Sequence, residues 1–193
     1  METLVINTDA FEMTEDQFYK FCVQNRDLKI ERDSKKQIFV MSPTTFDTGN
    51  RNAEIIGQLS IWNRKHKLGY VFDSSTGFTL PNKAVRSPDA AWIKKERVMK
   101  LSEKDKHQFA HICPDFIVEL RSKSDSLKNL QDKMDEWISN GCRLGWLIDF
   151  EEKKILVYKP GKAVQEVSFM IQPGSIGGED VLPGFELNLK EIV

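Results

Sequence analysis

The sequence predicts an α/β (α+β) fold in which a mixed central sheet is flanked by helices. Three observations carry that expectation. Residues 49–69 and 124–140 both repeat apolar side chains at helical spacing, which marks two amphipathic helices. Between and after them lie short runs rich in Val, Ile, Phe and Trp, punctuated by Gly, Pro and charged residues as strands are. The order of segments, helix, several strands, a long crossover, strand, helix and strand pair, suits one sheet covered by helices.

Taken in order, "TEDQFYKFCVQN" (14–25) reads as a short helix, with Thr14 and Gln17 at capping-box spacing and Phe18, Phe21 and Cys22 on one face. "LKIERD" (28–33) and "QIFVMSP" (37–43) read as a hairpin turning at "SKK". The first long helix carries Ile55, Ile56, Leu59 and Trp62 on its apolar arc and stops near Gly69. Three extended runs follow, "YVFDSS", "GFTLP" and "AVRSPDAAWI", expected to form hairpin and meander strands, and then a charged connection over 94–113. After the strand in "PDFIVELRSKSD" (114–125), the second helix presents Leu127, Leu130, Met134, Trp137 and Ile138 and stops at Gly141. "RLGWLIDF" and "KILVYKPG" form a strand pair joined by "EEKK". The tail supplies a closing strand, "AVQEVSF", and a short terminal element.

With 193 residues, 40% of them hydrophobic, and no apolar run of bilayer length, the chain is expected to form a single domain with a sizeable core and no membrane span. Its expected parts are an N-terminal helix and hairpin extension (1–40), a core (41–160) and closing strands (161–193). The N-terminal segment lacks the basic start and apolar block of a secretory signal, so a cytoplasmic location is expected. Cys22, Cys113 and Cys142 are scattered without a C-x-x-C pair, which suits thiols in a reducing compartment better than a disulfide framework or zinc site. A net charge of −1 excludes the broad positive field of a constitutive DNA-binding protein and leaves room only for a local basic surface.

The chemistry lies in acids where apolar residues are expected. Strand alternation places Phe116, Val118 and Leu120 on one side and Asp115, Ile117, Glu119 and Arg121 on the other. Asp89 sits similarly between Pro88 and the pair Ala90 and Ala91. Such acids are either strand-end carboxylates paired with neighbours, Glu119 with Arg121 and Asp89 with Arg86, or two halves of a site for a divalent cation. Lys133, at the edge of the second helix's apolar arc, can run its stem along the core toward the sheet end or simply border solvent. Glu54 on the first long helix is a third acid or an ordinary surface glutamate.

The segments "SPDAAWI" and "PDFIVELRSKSDSLKNLQDKMDEWISNGCRLGWLIDFEEKKILVYKPG" resemble the bacterial Uma-two family, and the resemblance extends from "MSPTT" to "LPGFELNL". It implies a restriction-endonuclease-like core of the PD-(D/E)XK nuclease superfamily, with extra antiparallel hairpins. In that pattern Asp89 and Glu119 match the metal-binding acids, joined by the carbonyl of Leu120, and Glu54 matches an acid on the first core helix. The lysine position two residues after Glu119 holds Arg121, a guanidinium too basic to shuttle a proton. The resemblance therefore implies Lys133 as the replacement lysine.

The implied activity is magnesium-dependent hydrolysis of DNA phosphodiester bonds, with manganese as a substitute ion. Asp89, Glu119, Lys133 and Glu54 form the expected catalytic set, and Arg121, Ser122 and Arg86 the expected substrate-binding set. A homodimer is expected by analogy. The alternative is a nuclease fold without turnover that binds nucleic acid or protein. His107 and His111 are spaced to share a metal only if helical, and read better as surface or capping histidines. The basic cluster from Arg64 to Lys67 reads as a solvated helix end or a phosphate contact.

Overall fold

The computed structural model describes residues 3–8, 13–123, 125–170 and 174–192. It is a mixed α/β structure built on a six-stranded sheet, with a five-stranded sheet beside it and a small hairpin closing one face.

The chain begins with β1 (Thr3–Ile6), a strand the sequence pattern does not announce, and continues into α1 (Glu15–Gln24). The capping box is formed: the Gln17 N–H donates to Thr14 Oγ1 at 3.2 Å and the Thr14 N–H donates to Gln17 Oε1 at 2.8 Å. The expected hairpin is β2 (Lys29–Arg32) paired with β3 (Ile38–Met41). Then comes α2 (Phe46–His66), which begins earlier than the apolar pattern indicates because Thr45 caps it. Its end also differs from expectation. Lys67, in the left-handed conformation at φ 56°, is the cap, and the exposed basic residues of the last turn sit where the helix dipole favours them. Gly69 is needed for a different reason. A Cβ there would lie 2.3 Å from the Ile93 carbonyl, so glycine is what lets the next strand approach.

That strand is β4 (Gly69–Asp73), followed by β5 (Phe78–Thr79), β6 (Val85–Arg86) and β7 (Ala90–Lys94). The run 84–93 is thus two strands rather than one, broken at Ser87 to Asp89. The break sends its halves to different sheets. β6 pairs with β2 and β5 in the five-stranded sheet, of order β1-β3-β2-β6-β5, while β7 pairs with β4 and β8 (Phe116–Arg121). The charged connection carries two short helices, α3 (Lys95–Val98) and α4 (Glu103–Lys106).

β8 runs parallel to β9 (Leu144–Asp149), the crossover being α5 (Leu127–Ser139); β10 (Lys154–Tyr158) and β11 (Gln165–Ser168) complete the sheet in the order β11-β10-β9-β8-β7-β4. The sequence pattern starts this helix at about residue 124; Ser124 lies outside the described residues, and Ser126 caps the helix. The tail contains β12 (Ser175–Gly177), unannounced by the pattern, paired with β13 (Glu186–Asn188), and a 3-10 turn at Leu189–Glu191.

Alternation in β8 decides what each helix covers. Phe116, Val118 and Leu120 join Ile55, Leu59 and Trp62 of α2 and Leu182, Phe185 and Leu187 of the tail in one core. Ile117 joins Met134 and Trp137 of α5 on the opposite face. Burying a side chain such as Ile117 completely contributes roughly 1.5–3 kcal/mol, so a slip of one residue would be costly on both faces. Under α1, a third core of Phe18, Ile30, Ile38 and Val85 holds the five-stranded sheet. Cys113 and Cys142 are buried and Cys22 partly so, all three free. No helix among the described residues is long and apolar enough to cross a membrane.

Candidate active site

The alternation that sends Ile117 toward α5 sends Glu119 the same way. The residue is 4% exposed. Burial of that kind requires partners, and α5 supplies them one turn apart: Lys133 Nζ lies 2.9 Å from Glu119 Oε1 and 3.1 Å from Oε2, and the Trp137 indole N–H donates to Oε1 at 3.0 Å. The helical pattern predicts Trp137 only as core; its buried N–H needs an acceptor, and that acceptor is Glu119.

Asp89 lies just before β7, where the β7–β8 ladder stops at Ala90 opposite Val118. The free edge of β8 beyond that point is closed by the Asp89 side chain, whose Oδ2 accepts the Leu120 N–H at 2.8 Å. Its other oxygen faces Lys29 Nζ at 3.8 Å, at a partly exposed mouth.

The acid that sequence reasoning missed is Glu31. It stands on β2, in the segment expected to be a peripheral extension, yet its side chain is only 3% exposed. In β2, Ile30 faces the core under α1, and Arg32 lies over the Phe18 ring, so Lys29 and Glu31 occupy the other face. Glu31 Oε1 accepts from Lys133 Nζ at 2.9 Å and from the Ser87 N–H at 3.0 Å, and Oε2 accepts from Arg86 NH1 at 3.3 Å. Arg86 in turn donates through Nε to Glu136 Oε2 at 2.6 Å.

This packing sets the protonation of the groups. Burial pushes the Glu119 carboxyl up to about 7; Lys133 opposes the shift, and the nearby charges of Asp89 and Glu31 add to it. Burial works against the Lys133 ammonium, but Glu119 and Glu31 outweigh it and hold its pKa above the ordinary value. Glu31 is likewise disfavoured by burial, and Lys133 and Arg86 reverse that, leaving its pKa lowered. One ammonium cannot fully neutralise two carboxylates. Glu31 has Arg86 as well, so Glu119 is the less fully compensated of the two.

The other expected residues have surroundings different from those expected. Arg121 does not pair with Glu119: its NH1 donates to Asp149 Oδ2 at 2.6 Å, across the parallel register that sets Arg121 beside Asp149. Asp149 is fully buried and also accepts the N–H groups of Glu151 and Glu152, so this pair ties off the strand ends. Ser122 is turned inward, its N–H and hydroxyl both donating to Asp125 Oδ2. Arg86 is held between Glu31 and Glu136 rather than by Asp89. Glu54 lies apart from the cluster: α2 packs on the face of the sheet opposite Glu119, and the Glu54 side chain makes no hydrogen bond or ion pair among the described residues. His107 caps α4 and His111 lies beyond it, so the two do not share a helix; His111 bridges Asp105 and Glu15 at 2.8 Å each.

Among the described residues, no group of three or more His, Cys, Asp or Glu side chains is arranged to hold a metal ion. Asp89 and Glu119 are a two-carboxylate set, and the donor chemistry fits a hard divalent cation completed by water and substrate oxygens. The fit rests on geometry: Asp89 closes the edge of β8 at Leu120, the residue next to Glu119, and its charge is near enough to add to the burial that raises the Glu119 pKa.

A family model described as "Putative restriction endonuclease", Uma2, matches residues 15–190. The chain belongs to the Uma2 family. A crystal structure described as a putative nuclease belonging to DUF820, from Anabaena variabilis ATCC 29413, superposes with a TM-score of 0.74 at 17% sequence identity, covering 94% of this chain and 97% of that one. At that identity the likeness shows the fold, which is restriction-endonuclease-like. No curated protein matches the chain. All the residues of the cluster, Glu31 included, fall within the Uma2 match.

Proposed function

We propose that this Uma2 protein is a magnesium-dependent nuclease that hydrolyses phosphodiester bonds of DNA. The observation that carries the reading is the buried contact of 2.9 Å between Lys133 Nζ and Glu119 Oε1, beside the strand edge closed by Asp89. It offers an acid pair and a fixed cation where the nuclease pattern needs them, with the lysine on α5 in place of the strand position taken by Arg121.

Asp89 and Glu119 would hold the ion, together with the carbonyl of Leu120, which in an extended strand shares the edge of the N–H that Asp89 accepts. When bound, a magnesium or manganese ion supplies Lewis-acid stabilisation of the phosphate and a more acidic bound water. Lys133 acts as a hydrogen-bond donor and positive charge. Glu119 and Glu31 hold its pKa above the ordinary lysine value, which keeps it an ammonium that can orient water or offset charge on the phosphoryl oxygens. Lys29, partly exposed at the mouth beside Asp89, is placed to meet a phosphate of the backbone. Cutting both strands of a duplex calls for two such sites, and a homodimer is part of the proposal.

The test is cleavage of plasmid, linear and single-stranded DNA with magnesium or manganese. The wild type is expected to cut, and Glu119→Ala and Lys133→Ala to lose at least about 100-fold in rate. Equal cutting by the variants would refute the site. DNA binding without any cutting would replace the nuclease by a binding module.

A further inference from the structure

We infer that Glu31 is a positioning residue that keeps the Lys133 ammonium beside Glu119 while the charge of Glu119 is engaged by another cation. For its catalytic consequence the inference rests on the nuclease reading above. Its geometric part stands separately.

A lysine side chain that is 14% exposed needs a counter-charge at all times. Glu119 cannot supply it throughout a metal-dependent reaction, because a carboxylate that ligates a divalent ion lends its charge to that ion. The same ion repels an ammonium a few ångströms away. Lys133 with Glu119 alone would swing out toward solvent at the moment it is needed.

Glu31 has no such competing duty. It belongs to a ring of four charges closed through the α5 backbone: Glu31 on β2 holds Lys133 on α5 and Arg86 on β6, and Arg86 holds Glu136, three residues after Lys133 in α5. The ring is neutral, two carboxylates against two cations. Further donors reinforce it, the Ser87 N–H on Glu31 and the Asn82 side-chain amide on Glu136 at 2.9 Å. Asp89 and Glu119 lie outside this ring. The ring thus fixes Lys133 to the five-stranded sheet while the two remaining acids stay available to a cation.

The test reads the lysine directly, from the 15N–1H spectrum of the lysine ammonium groups, in which a buried and hydrogen-bonded ammonium is protected from exchange. The Lys133 resonance is assigned by its loss in Lys133→Arg. In Glu119→Gln, which removes the other carboxylate without any metal, the resonance is expected to persist because Glu31 remains. Its loss in that variant, with the backbone spectrum still folded, overturns the inference. Should Glu119→Gln fail to fold, magnesium titration decides. The resonance should survive saturation in the wild type and vanish in Glu31→Gln; equal survival in both overturns the inference.

The activity arm separates positioning from mere stability. Glu31→Gln is expected to lower kcat about 100-fold with KM for DNA changed less than about threefold, and Glu31→Asp to recover part of the rate. An unchanged kcat counts against the inference. A wild type that neither binds magnesium nor cleaves DNA removes the nuclease reading, while the Glu119→Gln spectrum still decides the role of Glu31.

Discussion

Glu31 and Lys133 are 102 positions apart in the chain and meet at 2.9 Å. The contact joins a strand of the five-stranded sheet to the crossover helix of the six-stranded one, so the cluster is assembled only when both have folded. Among the described residues, Lys133 is also the cation that Glu31 and Glu119 share.

Removing that cation should be costly, and the cost should depend on pH. Lys133→Met keeps the stem and deletes the charge, leaving two buried carboxylates without it, and roughly 3 kcal/mol of stability should be lost at pH 8. Both carboxyls then titrate higher, so acidification should restore part of the loss by protonating them. Urea denaturation at pH 8 and pH 5 measures both quantities.

The Glu119 carboxyl makes a second pH-dependent contribution, of opposite sign to that of an ordinary paired acid. Its folded pKa of about 7 lies above the ordinary 4.5, so between those values the folded state holds more of the proton than the unfolded state does. The resulting cost is absent below 4.5, grows as pH rises through the window and is complete above about 7. It amounts to something on the order of 3 kcal/mol. Glu119→Gln abolishes that titration, so its stability relative to the wild type should improve steadily from pH 5 to pH 8, as followed by thermal unfolding. A flat difference would mean that Glu119 is ionised throughout.

Arg121 is expected to matter for folding and not for turnover. Arg121→Met leaves the fully buried Asp149 without its guanidinium and should cost about 3 kcal/mol in chemical denaturation. Placing lysine at 121 in a Lys133→Ala background should not restore DNA cleavage, because the position is turned to Asp149.

Arg121 also marks how far the sequence alone can be read. The alternation in "FIVELR" suffices to put Glu119 on the face of Ile117, and the helical arc from Leu130 to Trp137 suffices to bring Lys133 toward it. Both are local periodicities, and both hold. Glu31 was not legible for a physical reason: β2 reads Lys29, Ile30, Glu31, Arg32, with a charge on each face, and nothing local says that Arg32 is buried over Phe18 while Glu31 turns to the site. The partner of Arg121 depends on the parallel register of β8 and β9, a non-local quantity. The division of residues 84–93 between two sheets was hidden likewise, since Ser87 to Asp89 reads as continuous strand until the second sheet claims β6.

His111 supplies a pH effect away from the site. Hydrogen bonds to Glu15 and then Asp105 raise its pKa, so its stabilisation of the α1 contact is fully present below its ordinary value of 6.5 and is lost as pH rises through the raised folded value. The group is half exposed, and salt should weaken the effect. The difference in melting temperature between the wild type and His111→Gln should therefore be larger at pH 5.5 than at pH 9, and larger at low than at high ionic strength.

The nuclease reading turns on whether Asp89 and Glu119 form a cation clamp with Lys133 held beside it. A crystal structure of the wild type soaked in manganese, with anomalous data at the manganese edge, decides this. One strong peak is expected between the two carboxylates, within about 2.0–2.4 Å of an oxygen from each, with Lys133 Nζ still bonded to Glu31. A peak elsewhere, or none at millimolar manganese with Glu119 still fully engaged by Lys133 and Trp137, would refute the clamp.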